Sequence, residues 1–206
     1  MANDMLAGAG LRRSDYTYVP VGVGAQALSA LTTHRVAGYT ITTMDRVTAE
    51  TVSHLKFRVF RDPILSDIPN SVFAVSPATL AAKADMLKRY ARANVRAALM
   101  IRENPQVAAR YAVMGPQGTN PVTPNAVAAE AAQLVELQGI LAGADPANPR
   151  IGYLSPNGVQ IYDQFFYNAG LTKEVVPASA LVSDAFIAYA NDFDKNAWIA
   201  HVKHMH

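Results

Sequence analysis

Six cationic side chains lie between Pro77 and Glu103: Lys83, Lys88, Arg89, Arg92, Arg96 and Arg102, against only Asp85 and Glu103. In a protein whose formal net charge is +2, this segment holds most of the basic character; the residues before it are near neutral and those after it net acidic. On a helix advancing about 100° per residue, Lys88, Arg89, Arg92 and Arg96 share one arc, opposite Leu87 and Ala98. Four cations on one face are suited to contacting phosphates or an acidic protein surface, including the acidic C-terminal part of the same chain. Asp85 falls in that arc and offsets part of the charge. No aromatic residue interleaves on the face, so the local sequence offers no stacking platform for bases. A solvated helix face has the same composition.

Other chemistry has less to stand on. In His201-Val202-Lys203-His204-Met205-His206, two imidazoles sit one helical turn apart, but structural zinc takes four ligands and catalytic zinc three, and Lys203 repels a cation. No metal site is expected. His34 and His54 are the remaining candidate bases, and no G-x-S-x-G elbow accompanies them. Gly115-Pro116-Gln117-Gly118 lacks the lysine and spacing of a phosphate loop, and Gly22-Val23-Gly24 lacks a third glycine. The chain has no cysteine, which excludes disulfides, thiol nucleophiles and cysteine-type zinc sites. No catalytic residue and no cofactor is assigned; the expectation is a protein that is not an enzyme, with an enzyme of unrecognised type as a lesser alternative.

The elements that must position these residues read as an α+β fold. Residues 1–15 form an N-terminal arm and 16–206 a single α+β domain. Tyr16–Val23 reads as a short strand, and Ala25–His34 as a short helix. In Val52–Phe60, Leu55, Phe57 and Val59 alternate with His54, Lys56 and Arg58, the period of a strand; Gly38–Met44, rich in β-branched residues, reads as its partner. Asp62-Pro63 and Ile68-Pro69-Asn70 mark turns. Ser76-Pro77 opens a long basic amphipathic helix running to Arg102, with a buried stripe through Leu80, Leu87, Ala91, Val95 and Ala98. A short helix over 106–113 and a Gly/Pro-rich loop over 114–125 come next. The long helix packs on a second, Ala-rich helix over 126–142, ended by Gly143 before a polar connector to Arg150. Ile151–Leu154 and Val159–Tyr162 flank Ser155-Pro156-Asn157-Gly158, a β-hairpin signal. Two short C-terminal helices are expected over 177–190 and 195–205, the second capped by Asp194. Tyr162, Phe165, Phe166 and Tyr167 read as core or as anchors of an interface.

Half of the residues are hydrophobic, ample for a core. Only 17% are charged, against about a quarter in typical soluble domains. Alanine covers the difference, and an alanine-rich exterior is tolerable when it packs on another subunit. The expected function is therefore a structural or assembly subunit of a larger complex, such as a phage virion or secretion-machine component, whose partners are copies of itself or other subunits. Gly115, Pro116, Gly118 and Pro121 form its expected interface loop. The alternative is a binding module for an anionic partner, an acidic protein or nucleic acid, through Lys88, Arg89, Arg92 and Arg96. Asp15, Pro20, Gly22 and Gly24 break any signal-peptide pattern, and Tyr16–Thr33 is too polar to insert in a membrane. A cytoplasmic or virion-borne location is expected.

Overall fold

Short polar side chains set where several helices begin. Thr42, Ser76, Asn104, Ser155 and Asp194 each accept a hydrogen bond from the backbone N–H three residues on, at 3.2, 3.1, 3.3, 3.5 and 2.8 Å respectively. Each satisfies one of the N–H groups that a first helical turn leaves without an acceptor. Proline comes directly after Ser76, Asn104 and Ser155, where its missing N–H costs nothing and its φ is already helical. The computed structural model describes residues 2–60, 68–69, 71–141 and 150–206; among them the regular elements are all helices.

The chain divides into two units, Met1–Asp62 and Pro63–His206. The first holds α1 (Ala2–Gly8), a 3₁₀ turn at Arg13–Asp15, α2 (Ala25–Thr32) and α3 (Thr43–Ser53). It buries Ala27 and Ala30 of α2, and Val47 and Glu50 of α3. The Glu50 carboxylate takes Arg46 Nη1 at 2.9 Å, Lys56 Nζ at 3.0 Å and the Phe57 N–H at 3.2 Å. Burial alone raises its pKa, but the bonds from Lys56, Phe57 and Arg46 together outweigh burial and hold it below the ordinary glutamate value. His54, at φ 57°, ends α3 in the left-handed region, turning the chain so that 56 and 57 fold back onto Glu50.

The second unit holds α4 (Pro77–Ala82), α5 (Ala84–Glu103), α6 (Pro105–Met114), α7 (Pro124–Leu141), α8 (Pro156–Asn168), α9 (Ala178–Leu181), α10 (Ile187–Asn191) and α11 (Lys195–Lys203). Its centre is α5, which meets α4, α6, α7, α10 and α11 and buries Val95 and Leu99, worth about 1.5–3 kcal/mol each. Small residues let α6 and α7 approach closely: Val107, Ala108, Ala109 and Ala131 are buried. Two asparagines tie distant segments together. Asn104, between α5 and α6, donates through Nδ2 to the carbonyls of Val202 at 3.0 Å and Met205 at 3.4 Å. Asn191, ending α10, donates to Ile151 O at 3.0 Å and accepts from the Ile151 N–H at 3.2 Å.

These elements overturn the α+β expectation, because no β-strand forms among the described residues. Residues 16–23 and 38–42 lack regular structure; Thr42 is the cap of α3 rather than the end of a strand. Val52 and Ser53 are the last residues of α3, and 54–60 run on without a partner strand. The hydroxyls of Thr48, Thr51 and Ser53 donate to carbonyls four residues back, at 3.0, 2.8 and 2.7 Å, so residues that favour strands are accommodated in a helix. The predicted hairpin is α8. Ser-Pro opens a turn and a helix equally well, and tertiary partners select the helix: Gln160 and Asp163 both bind the 176–178 segment, at 3.4 and 3.1 Å for Gln160 and 2.7 Å for Asp163. Residues three apart share a helix face but lie on opposite faces of a strand.

The long basic helix is two helices, interrupted at Lys83 (φ −127°, ψ 25°), and the helix expected over 177–190 is the pair α9 and α10. The turns expected at Asp62-Pro63 and Asn70, and the connector over 143–149, lie outside the described residues. Among the described residues, no helix is long and apolar enough to cross a membrane.

Candidate functional site

The basic arc of α5 is where charge, aromatic surface and a cavity coincide. Val95 and Leu99 are buried in the helical core, and the cations lie along the adjoining edge of the same helix, Arg92 close to Leu99 in angle about the axis and Arg89 farthest from it. There α10 and α11 supply aromatic rings. The Arg92 guanidinium lies 3.6 Å from the centre of the Tyr189 ring, and its Nε and Nη2 both donate to the Tyr189 carbonyl, at 3.0 and 2.7 Å. Lys88 Nζ sits 4.6 Å from the same ring. Arg96 lies 5.0 Å from the Phe193 ring and 5.4 Å from Trp198, while Trp198 Nε1 donates to the Arg96 carbonyl at 3.0 Å. Stacking of this kind places a guanidinium against a ring without neutralising it.

Between these groups lies an open groove of about 540 Å³, lined by Arg89, Arg92, Ala93, Arg96, Ala97, Met100, Tyr189 and Trp198. The methyls of Ala93 and Ala97 are exposed, and a larger side chain at either position fills the space. A smaller recess of about 330 Å³ continues beside Arg89 and Tyr189, bounded also by Asp85 and Lys88. Arg92 spends Nε and Nη2 on the Tyr189 carbonyl, whereas the Arg96 guanidinium has no hydrogen-bond acceptor or carboxylate partner among the described residues. At the far end of α5, Glu103 pairs with Arg102 at 2.9 Å and Lys203 at 3.5 Å. The Arg102 hydrogen bond is the main reason its carboxyl sits below the ordinary glutamate range.

The four cations predicted as a binding face are thus brought together with aromatic residues that the local sequence did not place there. Arg92 and Trp198 meet partners 97 and 102 residues away, a separation no helical period encodes. The one available signal was the cluster of aromatics just before and within the last helix. Among the described residues, no carboxylate of the acidic C-terminal part pairs with the arc; its aromatic rings and a backbone carbonyl meet the arc instead.

The remaining candidates lie elsewhere. Gly115 and Gly118, at φ +74° and +65°, fold their loop onto the end of α6 through Asn120 N–H to Met114 O at 3.2 Å. A Cβ on Gly115 would come within 2.8 Å of Asn120 Nδ2. Neither these glycines nor Pro116 and Pro121 line the groove. His34 and His54 occupy left-handed turns. His201 lies 5.6 Å from Trp198, ring centre to ring centre, and among the described residues no three side chains are grouped as a metal site. Tyr162 and Phe166 pack edge to face at 4.6 Å on α8.

In comparison with known proteins, a family model described as NMT1/THI5 like matches residues 1–108, just over half of the 206 residues. The matched stretch includes all of α5 and ends before α10 and α11. No curated protein and no solved structure matches the chain. The family match points to substrate-binding proteins and overturns the expectation of a structural virion or assembly subunit.

Proposed function

From the premise that the chain belongs to the NMT1/THI5-like family, we propose that the protein binds a small organic anion, without catalysing its conversion, in the groove between α5 and the helices α10 and α11. The observation that carries this reading is Arg96. Its guanidinium borders a cavity of about 540 Å³, is held by Phe193 and Trp198 rings, and keeps its N–H donors for a carboxylate or phosphate oxygen. Guanidinium geometry matches both groups. Ala93, Ala97, Met100 and the two rings supply an apolar bed for the body of the ligand, the usual division of labour in small-molecule sites. Arginine, alanine, methionine and tryptophan bind and orient; Tyr189 is the one lining residue of a proton-transfer type, and its ring is stacked against Arg92, which favours binding over turnover. This replaces the acidic protein or nucleic acid weighed from the charge pattern alone.

Trp198 is the single tryptophan of the chain and lines the groove, so its emission reports occupancy directly. Titration with benzoate and phenyl phosphate is expected to give a saturable change that neutral benzamide does not give. Arg96→Gln is expected to weaken that binding about tenfold or more, the worth of a charge-assisted hydrogen bond. Absence of saturation with every anion, or an equal response to benzamide, refutes the reading.

A further inference from the structure

We infer that the ligand of this groove carries two anionic groups, set about 10 Å apart across an apolar body, as in an extended dicarboxylate. This rests on the groove being the ligand site. Arg89 and Arg96 are seven residues apart on α5; at about 1.5 Å per residue this is two turns, about 10 Å along one face. Arg92, between them in sequence, is committed to the Tyr189 carbonyl. The outer two are not. Arg89 spends only Nε, on the carbonyl of Asp85 at 3.3 Å, and its two terminal nitrogens have no acceptor among the described residues. Among the same residues, Arg96 spends none of its side-chain donors.

The surface joining the two cations is apolar. Ala93 lies one turn beyond Arg89 and exposes its methyl, with the Tyr189 ring alongside. The recess beside Arg89 shares Arg89 and Tyr189 with the main groove, so Arg89 borders both spaces while Arg96 borders the main groove alone. A monoanion held at Arg96 leaves Arg89 to water. An anion at each end with methylenes over Ala93 engages both. The Asp85 carboxylate borders the Arg89 end, so it repels the second anionic group and caps the gain from it.

The test compares ligands of equal length in the full chain, monitored by Trp198 emission: octanoate against suberate, with adipate and sebacate to vary the span. Suberate is expected to bind about tenfold more tightly than octanoate, the contribution of one further charge-assisted contact. Arg89→Gln is expected to shrink that suberate-to-octanoate ratio several-fold, and Asp85→Asn to enlarge it, with far-UV circular dichroism verifying that both variants fold. Saturable binding with a wild-type ratio near one, or a ratio unmoved by both substitutions, overturns the two-anion inference while leaving the groove as an anion site. No saturable response to any of these acids or to the ring anions overturns both.

Discussion

Arg92→Lys separates charge from geometry at the contact that fastens α10 to α5. The native guanidinium makes two hydrogen bonds to one carbonyl, at 3.0 and 2.7 Å, and lies 3.6 Å from the centre of the Tyr189 ring. A lysine keeps the positive charge but offers a compact ammonium on a flexible stem, able to replace one of those bonds and not the flat stacking. Losing one bond from a charged donor costs about 1.5 kcal/mol, and the stacking of a half-buried guanidinium adds about 0.5–1 kcal/mol. The expected destabilisation is about 2 kcal/mol, which lowers Tm by about 4–8 °C at this chain length. Urea and thermal unfolding, monitored by both Trp198 emission and far-UV circular dichroism, measure it. Tyr189→Leu removes the ring and keeps the carbonyl, so Arg92→Lys in that background is expected to cost less by the stacking share alone. An Arg92→Lys protein within about 0.5 kcal/mol of the parent, the range of ordinary surface changes, refutes the claim that this bidentate contact positions the groove.

Groups outside the groove give two further outcomes. Because the folded-state pKa of Glu50 is lowered, the folded state releases that proton more readily than the unfolded chain; its stabilisation is full above the ordinary glutamate value and is lost as pH falls through the lower folded value. Glu50→Gln is expected to cost about 1–3 kcal/mol at neutral pH and to flatten the acid loss of protection in α3, measured by hydrogen exchange of residues 46–57 across an acid pH series; an unchanged acid slope counts against the assignment. Asn104→Ala removes the cap of α6, about 1 kcal/mol, and the Nδ2 bonds to the carbonyls of Val202 and Met205, about 1 kcal/mol more. Asn104→Asp keeps the cap but turns a donor into an acceptor facing those carbonyls, so in urea unfolding it is expected to recover little of the loss; full recovery shows that only the cap matters.

Much of the second unit's helical layout was readable because its signals are local. Ser76-Pro77, Asn104-Pro105 and Asp194 each satisfy their own helix start within three residues, and the apolar spacing through Leu87, Ala91, Val95 and Ala98 marks an inward face whatever packs on it. The strand readings failed where a local pattern has two solutions. The alternation of Leu55, Phe57 and Val59 forms a strand only if another strand offers its edge, and here Lys56 and Phe57 turn to Glu50 instead. Ser155-Pro156-Asn157-Gly158 fits a turn or a first helical turn, and the choice came from Gln160 and Asp163 meeting residues 176–178.

From its own residues, the sequence determined that four cations share one arc of a helix and that no cysteine chemistry is available. It also carried the family signal over residues 1–108. It did not determine what covers that arc. Charge patterning along a helix depends on neighbours three and four residues apart, whereas Tyr189 and Trp198 reach Arg92 and Arg96 from about a hundred residues away. Only the packing of α10 and α11 on α5 decides which guanidinium is tied to a carbonyl, which keeps its donors, and where the groove opens.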